Sequence, residues 1–186
     1  GPSYIYENQI SGLHETKSYS GGAVKAGGGG DSNFPGKLFV FNNTIDVPGY
    51  GITNVGGDYH IESRNNIIGA EKRESISFKG TVSEQDTIDY DILWRTTNIP
   101  SSISGKNIKY GKASYMDKES GDFRLTEESP GKGIATYLDN FGGGTDAGVY
   151  GNPDISFMPY RPIKATADKY RVLLNPGETT TVSITF

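Results

Sequence analysis

Apolar and polar residues alternate in short runs along the first half of the chain, and these runs end alike. Each run, "YIYENQIS", "FVFNNTID", "ESRNNIIG" and "IDYDILW", has a polar residue at the same point, at Asn8, Asn43, Asn66 and Asp91. The spacings between these four positions are 35, 23 and 25 residues. Alternation with period two predicts β-strands, and a repeat of this length with a polar corner indicates a solenoid.

Each repeat divides into three short strands. Between Asn43 and Asn66 these are "YGITNV", "DYHIES" and a third that begins at "NII", and "GGAVKAG" and "ESISFKG" are the equivalent first strands. The alternation predicts inward-facing side chains at Val24, Ile52, Ile76 and Phe78. Their neighbours Lys25, Thr53, Ser77 and Lys79 are predicted to face outward.

The aligned Asn8, Asn43, Asn66 and Asp91 have a structural explanation. A sharp corner between strands leaves backbone groups without ladder partners, and burying each one unpaired costs about 1–3 kcal/mol. An inward side-chain amide satisfies such groups and can bond to the amide of the next repeat. Asparagine also tolerates the left-handed backbone of such corners. We therefore predict a structural ladder at these four positions.

The rest of the chain departs from the repeat. We expect residues 1–3 to be the remnant of a cleaved tag, which would make the chain an excised piece, and residues 4–112 to be solenoid coils. Residues 113–163 are rich in turns and are predicted to cap the last coil. Residues 164–186 are predicted to form a β-hairpin around Asn175-Pro176-Gly177-Glu178, or the start of an appended β-sandwich.

Composition narrows the range of functions. The chain has 26 Gly and 12 Tyr, which favours strands and turns over helices. Its net charge of −4 comes from dispersed charges, so neither a nucleic-acid-binding nor an anionic-membrane surface is indicated. Cysteine is absent, which excludes disulfides and thiolate chemistry. No apolar run approaches the ~20 residues of a transmembrane helix.

The "NN"-"I" corners, the "YGI" first strand and the tail phrases "DYDILW", "GDFRLTEESPGKGIA" and "DAGVYG" resemble right-handed parallel β-helix proteins of the pectate-lyase-like superfamily. The resemblance extends from Tyr4 to Gly151 and implies an all-β fold of about four to five coils. It also implies a carbohydrate ligand on the outer face of the first sheet. Neither a polygalacturonase-type paired-Asp motif nor the arginine cluster of pectate lyases is present, so the resemblance implies no one activity.

Two loop insertions, "SGLHETKSYS" and "GGGGDSNFPG", flank the strand that carries Lys25 and direct the search for catalytic residues there. Lys25 is a candidate base for a lyase, or a solubilising surface lysine. His14 and Glu15 are candidates for an acid, a base or a metal ligand, or form an ordinary polar loop. Asp31 is a candidate calcium ligand, calcium being the only cofactor that the sequence suggests, or a loop cap.

The remaining candidates lie on the predicted strands. Thr53, Ser77, Lys79 and Tyr50 are candidate substrate-binding residues of the first sheet. His60, Glu62 and Arg64 share an outer face, either as a catalytic trio or as a ladder of surface charges. Trp94 could stack on a sugar ring or cover the side of the coils.

The sequence therefore predicts the C-terminal part of a secreted, carbohydrate-active β-helix protein, extracellular or at the cell surface. The activity expected is that of a polysaccharide lyase or a glycoside hydrolase. The alternative is a non-catalytic adhesin or polysaccharide-binding module. The expected partner is a polysaccharide, together with a preceding β-helix portion or another chain that covers the first coil.

Overall fold

The structure of the chain is a computed structural model. It describes residues 2–12, 22–27, 36–55, 58–79, 82–95, 99–139, 144–151, 166–167 and 184–185. Within these ranges the chain is all-β and contains no helix, and so none that could cross a membrane. The predicted fold class is correct at this level.

The described residues form short strands of two to six residues. In chain order they are β1 Ser3–Tyr6, β2 Gln9–Ser11, β3 Gly22–Ala26, β4 Gly36–Phe41, β5 Thr44–Val47, β6 Tyr50–Asn54, β7 Tyr59–Arg64, β8 Ile67–Ala70, β9 Ile76–Phe78, β10 Thr87–Asp89, β11 Ile92–Leu93, β12 Lys109–Tyr110, β13 Tyr115–Asp117, β14 Asp122–Leu125, β15 Thr166–Ala167 and β16 Ile184–Thr185.

The strands before residue 111 build three parallel sheets. The first sheet is β3-β6-β9, the second is β1-β4-β7-β10, and the third is β2-β5-β8-β11-β12. From β1 to β11 successive strands pass from the second sheet to the third, then to the first, and back to the second. This rotation is compatible with a β-helix-like fold. The boundaries of β6, β7 and β8 lie close to those that the alternation predicts.

The register places like residues beside each other. Val24 pairs with Ile52 and Ile52 with Ile76, as the predicted alignment requires. All three are at most 3% exposed and join one core with inward residues of the other two sheets. Phe78 is only half-buried, at the margin of that core. Burying an isoleucine in such a core contributes about 1.5–3 kcal/mol, so each stacked aliphatic row stabilises the sheets.

The predicted corner residues form a hydrogen-bonded ladder. The backbone N–H and Nδ2 of Asn8 both donate to Asn43 Oδ1, at 3.0 and 3.1 Å. The backbone N–H and Nδ2 of Asn43 donate to Asn66 Oδ1, both at 2.9 Å. The same two groups of Asn66 donate to Asp91 Oδ1, at 2.7 and 3.0 Å. The last three residues of the ladder are fully buried. Each corner therefore satisfies backbone groups of its neighbour.

The left-handed conformation belongs to the residue before each ladder position. Glu7, Asn42, Asn65 and Tyr90 have φ between 55° and 58°. The prediction that the ladder asparagine itself adopts this conformation is wrong. In each "NN" pair the first asparagine tolerates the left-handed backbone and the second supplies the ladder.

Residues 113–139 and 144–151, which we call the side segment, run along the outer face of the third sheet. Tyr150 Oη donates to Gln9 Oε1 at 2.6 Å, Val149 N donates to Thr44 Oγ1 at 3.2 Å, and Ala113 and Ala147 pack in a second apolar cluster with Ile67 and Ile92. These contacts reach from β2 to β11, so the described part of the segment covers the side of the sheet. The cap expected over residues 113–163 stays a prediction, since residues 140–143 and 152–163 lie outside the described residues.

The outward-facing residues of the third sheet explain why the side segment covers it. Ile67 and Ile92 stand beside the inward-facing Ile68 and Leu93, and they point away from the main core. Without a cover these two isoleucines would be exposed to water. Gly148 allows the cover to approach closely, since a Cβ there would lie 2.6 Å from Thr44 Oγ1.

The C-terminal residues contribute one described pair of strands, in which β15 and β16 pair antiparallel. Most of residues 164–186, including the predicted turn at Asn175, lies outside the described residues. The hairpin, the appended sandwich and the domain boundaries stay predictions.

Candidate functional site

The outer face of the first sheet is where the sequence predicts substrate contacts. Lys25 is exposed on β3 and pairs in register with Thr53, which pairs with Ser77. Thr53 is 0% exposed and Ser77 is 6% exposed, so the solvent-facing position expected for them is not observed. Among the described residues Thr53 Oγ1 has no hydrogen-bond partner, and it lies 2.5 Å from where a Cβ on Gly22 would stand. The assignment of Thr53 and Ser77 to substrate binding stays a prediction.

Three candidate residues lie outside the described residues: His14, Glu15 and Asp31. Their roles as acid, base or metal ligand stay predictions. Within the described ranges, no group of three or more His, Asp or Glu side chains is arranged to hold a metal ion.

Tyr50 and Lys79, both predicted to bind substrate, contact each other. Lys79 Nζ lies 5.1 Å from the centroid of the Tyr50 ring, and the guanidinium carbon of Arg73 lies 5.7 Å from the same centroid. Tyr50 is half-buried, and both cations are exposed. Cation–π contacts at exposed sites are worth about 0.5–1 kcal/mol each. The ring therefore holds two cations at the surface.

Trp94 has the same type of environment. Lys112 Nζ lies 4.5 Å from the indole centroid and the guanidinium carbon of Arg95 lies 5.9 Å from it. Backbone hydrogen bonds link the corners beside the two groups in successive repeats: Gly51 N donates to Glu74 O at 3.2 Å, and Ser75 N donates to Arg95 O. We call this surface the basic–aromatic edge, formed by Tyr50, Arg73, Lys79, Trp94, Arg95 and Lys112.

The electrostatics of this edge differ from those of the whole chain. Four cations gather here in a protein whose net charge is −4. The acidic residues nearby are Glu74, which is half-buried beside Arg73 in the chain, and Glu71 and Asp46, which both pair with Lys118 at 3.6 and 2.8 Å. Asp46 lines one cavity with Trp94 and Lys112. The edge therefore presents a local excess of positive charge over ordered aromatic rings.

Sequence reasoning missed Arg73, Arg95 and Lys112. Each follows the end of a third-sheet strand, in "GAEKRE", "LWRTT" and "KYGKAS". An alignment that included the residues after each strand of the third sheet would have placed these three cations in one group. The contacts of Arg73 with Tyr50 and of Lys112 with Trp94 could not be read from the alignment, because they join residues 23 and 18 positions apart, whereas Arg95 is the chain neighbour of Trp94.

The outer face of the second sheet carries ordinary surface ion pairs. Glu62 accepts from Lys37 Nζ at 2.8 Å and from Arg64 Nε at 3.1 Å, as expected for a ladder of charges. His60 is separate from it: Nδ1 lies 3.0 Å from Ser83 Oγ and 3.7 Å from Asp86 Oδ2. Ser83 and Asp86 both contact Nδ1 of His60, whereas in a hydrolytic triad the serine and the aspartate contact opposite ring nitrogens. This group therefore lacks the geometry of a triad.

Asp91 is the buried ionisable group of the ladder, and it is remote from the surface. Burial raises the pKa of Asp91 from 3.8 to about 7, against the opposing effect of hydrogen bonds from Ser63 and Asn66. Ser63 Oγ donates to Asp91 Oδ2 at 2.5 Å. A fully buried carboxyl cannot reach a polymeric substrate, so this shift concerns stability.

In comparisons with known proteins, no family model, no curated protein and no solved structure matches the chain. The function is therefore argued from the geometry. The basic–aromatic edge combines preordered cations with the sheet predicted to contact substrate, and it is the candidate binding site.

Proposed function

We propose that this chain is part of a right-handed parallel β-helix of four to five coils, of the pectate-lyase-like kind, that binds an acidic extracellular polysaccharide at the basic–aromatic edge. The observation that carries the proposal is the pairing of four cations with Tyr50 and Trp94. A uronate polymer carries one carboxylate on each sugar unit. Cations that recur at the corners of successive repeats can each pair with one of these carboxylates.

The rings act by positioning the cations. A flexible lysine or arginine loses up to about 2 kcal/mol of rotamer entropy when it is fixed, and a side chain already held against a ring loses less. This differs from the sugar stacking predicted for Trp94 and from a direct substrate contact by Tyr50, because two cations already contact each ring. Affinity should therefore depend on charge and weaken with salt.

The test compares polygalacturonate with its fully methyl-esterified form, which keeps the sugar and removes the charge. We expect calorimetric titration to detect binding of the first polymer only. A variant with Arg73→Gln and Lys79→Gln should bind about 5- to 30-fold more weakly, since each exposed ion contact contributes up to about 1 kcal/mol. Lys106→Gln is the matched control at another exposed lysine. Equal binding of both polymers would contradict the proposal.

A catalytic function is the second candidate, favoured by the exposure of Lys25 on the outer face of the first sheet. As a base, Lys25 would take the proton beside the uronate carboxylate while the glycosidic oxygen leaves, which forms a conjugated double bond. The product absorbs in the near ultraviolet, and Lys25→Ala should abolish that absorbance. Release of reducing sugar without absorbance would indicate a glycoside hydrolase, and binding without either signal indicates an adhesin or binding module.

We also propose an extracellular or cell-surface location and a neighbouring coil that covers the exposed strand edges of β1, β2 and β3. Within the described residues no strand pairs with those edges, and none donates to Asn8 Oδ1. The covering coil belongs either to a preceding β-helix portion or to another chain. Sedimentation equilibrium separates these sources, because only the second gives a mass that rises with concentration.

A further inference from the structure

A cleft of about 240 Å³ opens in the side segment, away from the basic–aromatic edge. Its walls come from the β13–β14 hairpin and from the turns that follow, and the residues that matter here are Met116, Arg124, Leu125, Lys132, Asp146 and Tyr150. Tyr150 bonds to Gln9 on β2, three strands from β11 in the third sheet. Another lining residue, Leu125, packs in the apolar cluster that contains Ile92 of β11, and no lining residue of the cleft belongs to the basic–aromatic edge.

The charged groups of the cleft are already paired. Lys132 Nζ lies 2.8 Å from Asp146 Oδ2 and 3.4 Å from Glu127 Oε1, and Arg124 makes two hydrogen bonds to Asp122. A simple anion or cation would therefore have to compete with an existing partner. A neutral ligand with several hydroxyl groups would not, because each hydroxyl can accept from a cation and donate to a carboxylate.

The remaining walls are apolar. Met116 is 58% exposed although it lines the cleft, and Leu125 lies beside it. Tyr150 Oη donates to Gln9, so its oxygen can still accept a hydrogen bond from a ligand. A thioether and an aromatic ring suit the C–H face of a sugar. The volume is below the ~300–1,000 Å³ of pockets for drug-sized ligands, which suits one ring.

We propose that this cleft binds a single neutral sugar ring, as a second carbohydrate site separate from the basic–aromatic edge. It deepens the proposed function, since it rests on the chain being a carbohydrate binder. The edge would hold an acidic main chain, and the cleft would hold a neutral unit such as a side branch.

The test uses the methyl group of Met116 as a reporter. The chain has two methionines, so ¹³C-methyl labelling gives two signals, and Met116→Leu assigns the one that disappears. The probes are the methyl glycosides of glucose, galactose and mannose, added one at a time. We expect at least one to move the Met116 signal saturably. Arg124→Gln and Tyr150→Phe should each weaken that binding about three- to tenfold, the effect of losing one hydrogen bond. Tyr110→Phe, at an exposed tyrosine outside the cleft, should have no effect.

Two results would overturn the proposal. One is a Met116 signal that none of the three glycosides moves, and the other is unchanged binding in both variants while the far-ultraviolet circular dichroism shows them folded. Polygalacturonate is titrated in parallel. If it binds while the glycosides do not, the cleft proposal fails alone; if only the glycosides bind, the proposal for the edge fails alone.

Discussion

The ladder ends in Asp91, where the other repeats have asparagine, and this difference should make folding depend on pH. Asp91 Oδ1 accepts from Asn66, as asparagine oxygens do elsewhere in the ladder, and Oδ2 accepts from Ser63. Asp91→Asn keeps the oxygen that accepts from Asn66 and removes the charge. Its Nδ2 can donate to Ser63 Oγ, which leaves the serine hydroxyl without its present acceptor. That loss is worth about 1 kcal/mol.

The magnitude follows from the raised pKa of Asp91. The folded protein holds this proton up to about pH 7, whereas the unfolded chain releases it near 3.8. The stabilising contribution of the proton is therefore complete below the unfolded pKa and is lost as the pH rises through the folded pKa. A shift of roughly three units corresponds to on the order of 4 kcal/mol, of which about 3 kcal/mol should be lost between about pH 5 and about pH 9.

The assay is urea denaturation of the wild type and Asp91→Asn at several pH values. We expect the variant to be less stable than or equal to the wild type near pH 5, and more stable by about 2 kcal/mol near pH 9. Other titrating groups cancel in the difference between the two proteins. Glu84→Gln, at an exposed carboxylate, is the matched control for the loss of one acidic side chain. A flat difference for Asp91→Asn would refute the argument that the buried carboxyl titrates near neutrality.

Three further predictions concern the corners and the side segment. Asn43→Leu should destabilise the protein by roughly 2–4 kcal/mol in chemical denaturation, because buried groups lose their partners, and should leave polysaccharide binding per folded molecule unchanged; a loss of binding at unchanged stability would make the ladder a binding site. Glu7→Asn should raise the melting temperature, since asparagine relieves up to about 1 kcal/mol of left-handed strain, and a lower melting temperature would contradict the assigned corner. Lys118→Met removes a 2.8 Å ion pair with the buried Asp46 and should speed limited proteolysis of the side segment, whereas an unchanged rate would show that the ion pair does not hold it.

The basic–aromatic edge, which is the candidate site, was only partly predictable from the sequence. Tyr50 and Lys79 were predicted from the sequence as binding residues of the first sheet, and both belong to the basic–aromatic edge. Arg73 follows a strand of the third sheet, and only the stacking of corners brings it to the Tyr50 ring. The burial of Thr53 could not be predicted either. Alternation predicts on which face of a strand a side chain lies, but it does not predict whether other residues cover that face.

The sequence by itself determined the all-β class, the inward rows such as Val24, Ile52 and Ile76, and the alignment of the corner asparagines. These features repeat at a regular spacing, and period-two alternation expresses them within a few neighbouring residues. Only the tertiary structure decided which asparagine of each pair is left-handed, and that the side segment covers Ile67 and Ile92. It also decided that cations from separate repeats meet on two rings. The physical reason is that these contacts join residues distant in the chain, whose proximity depends on how the sheets stack.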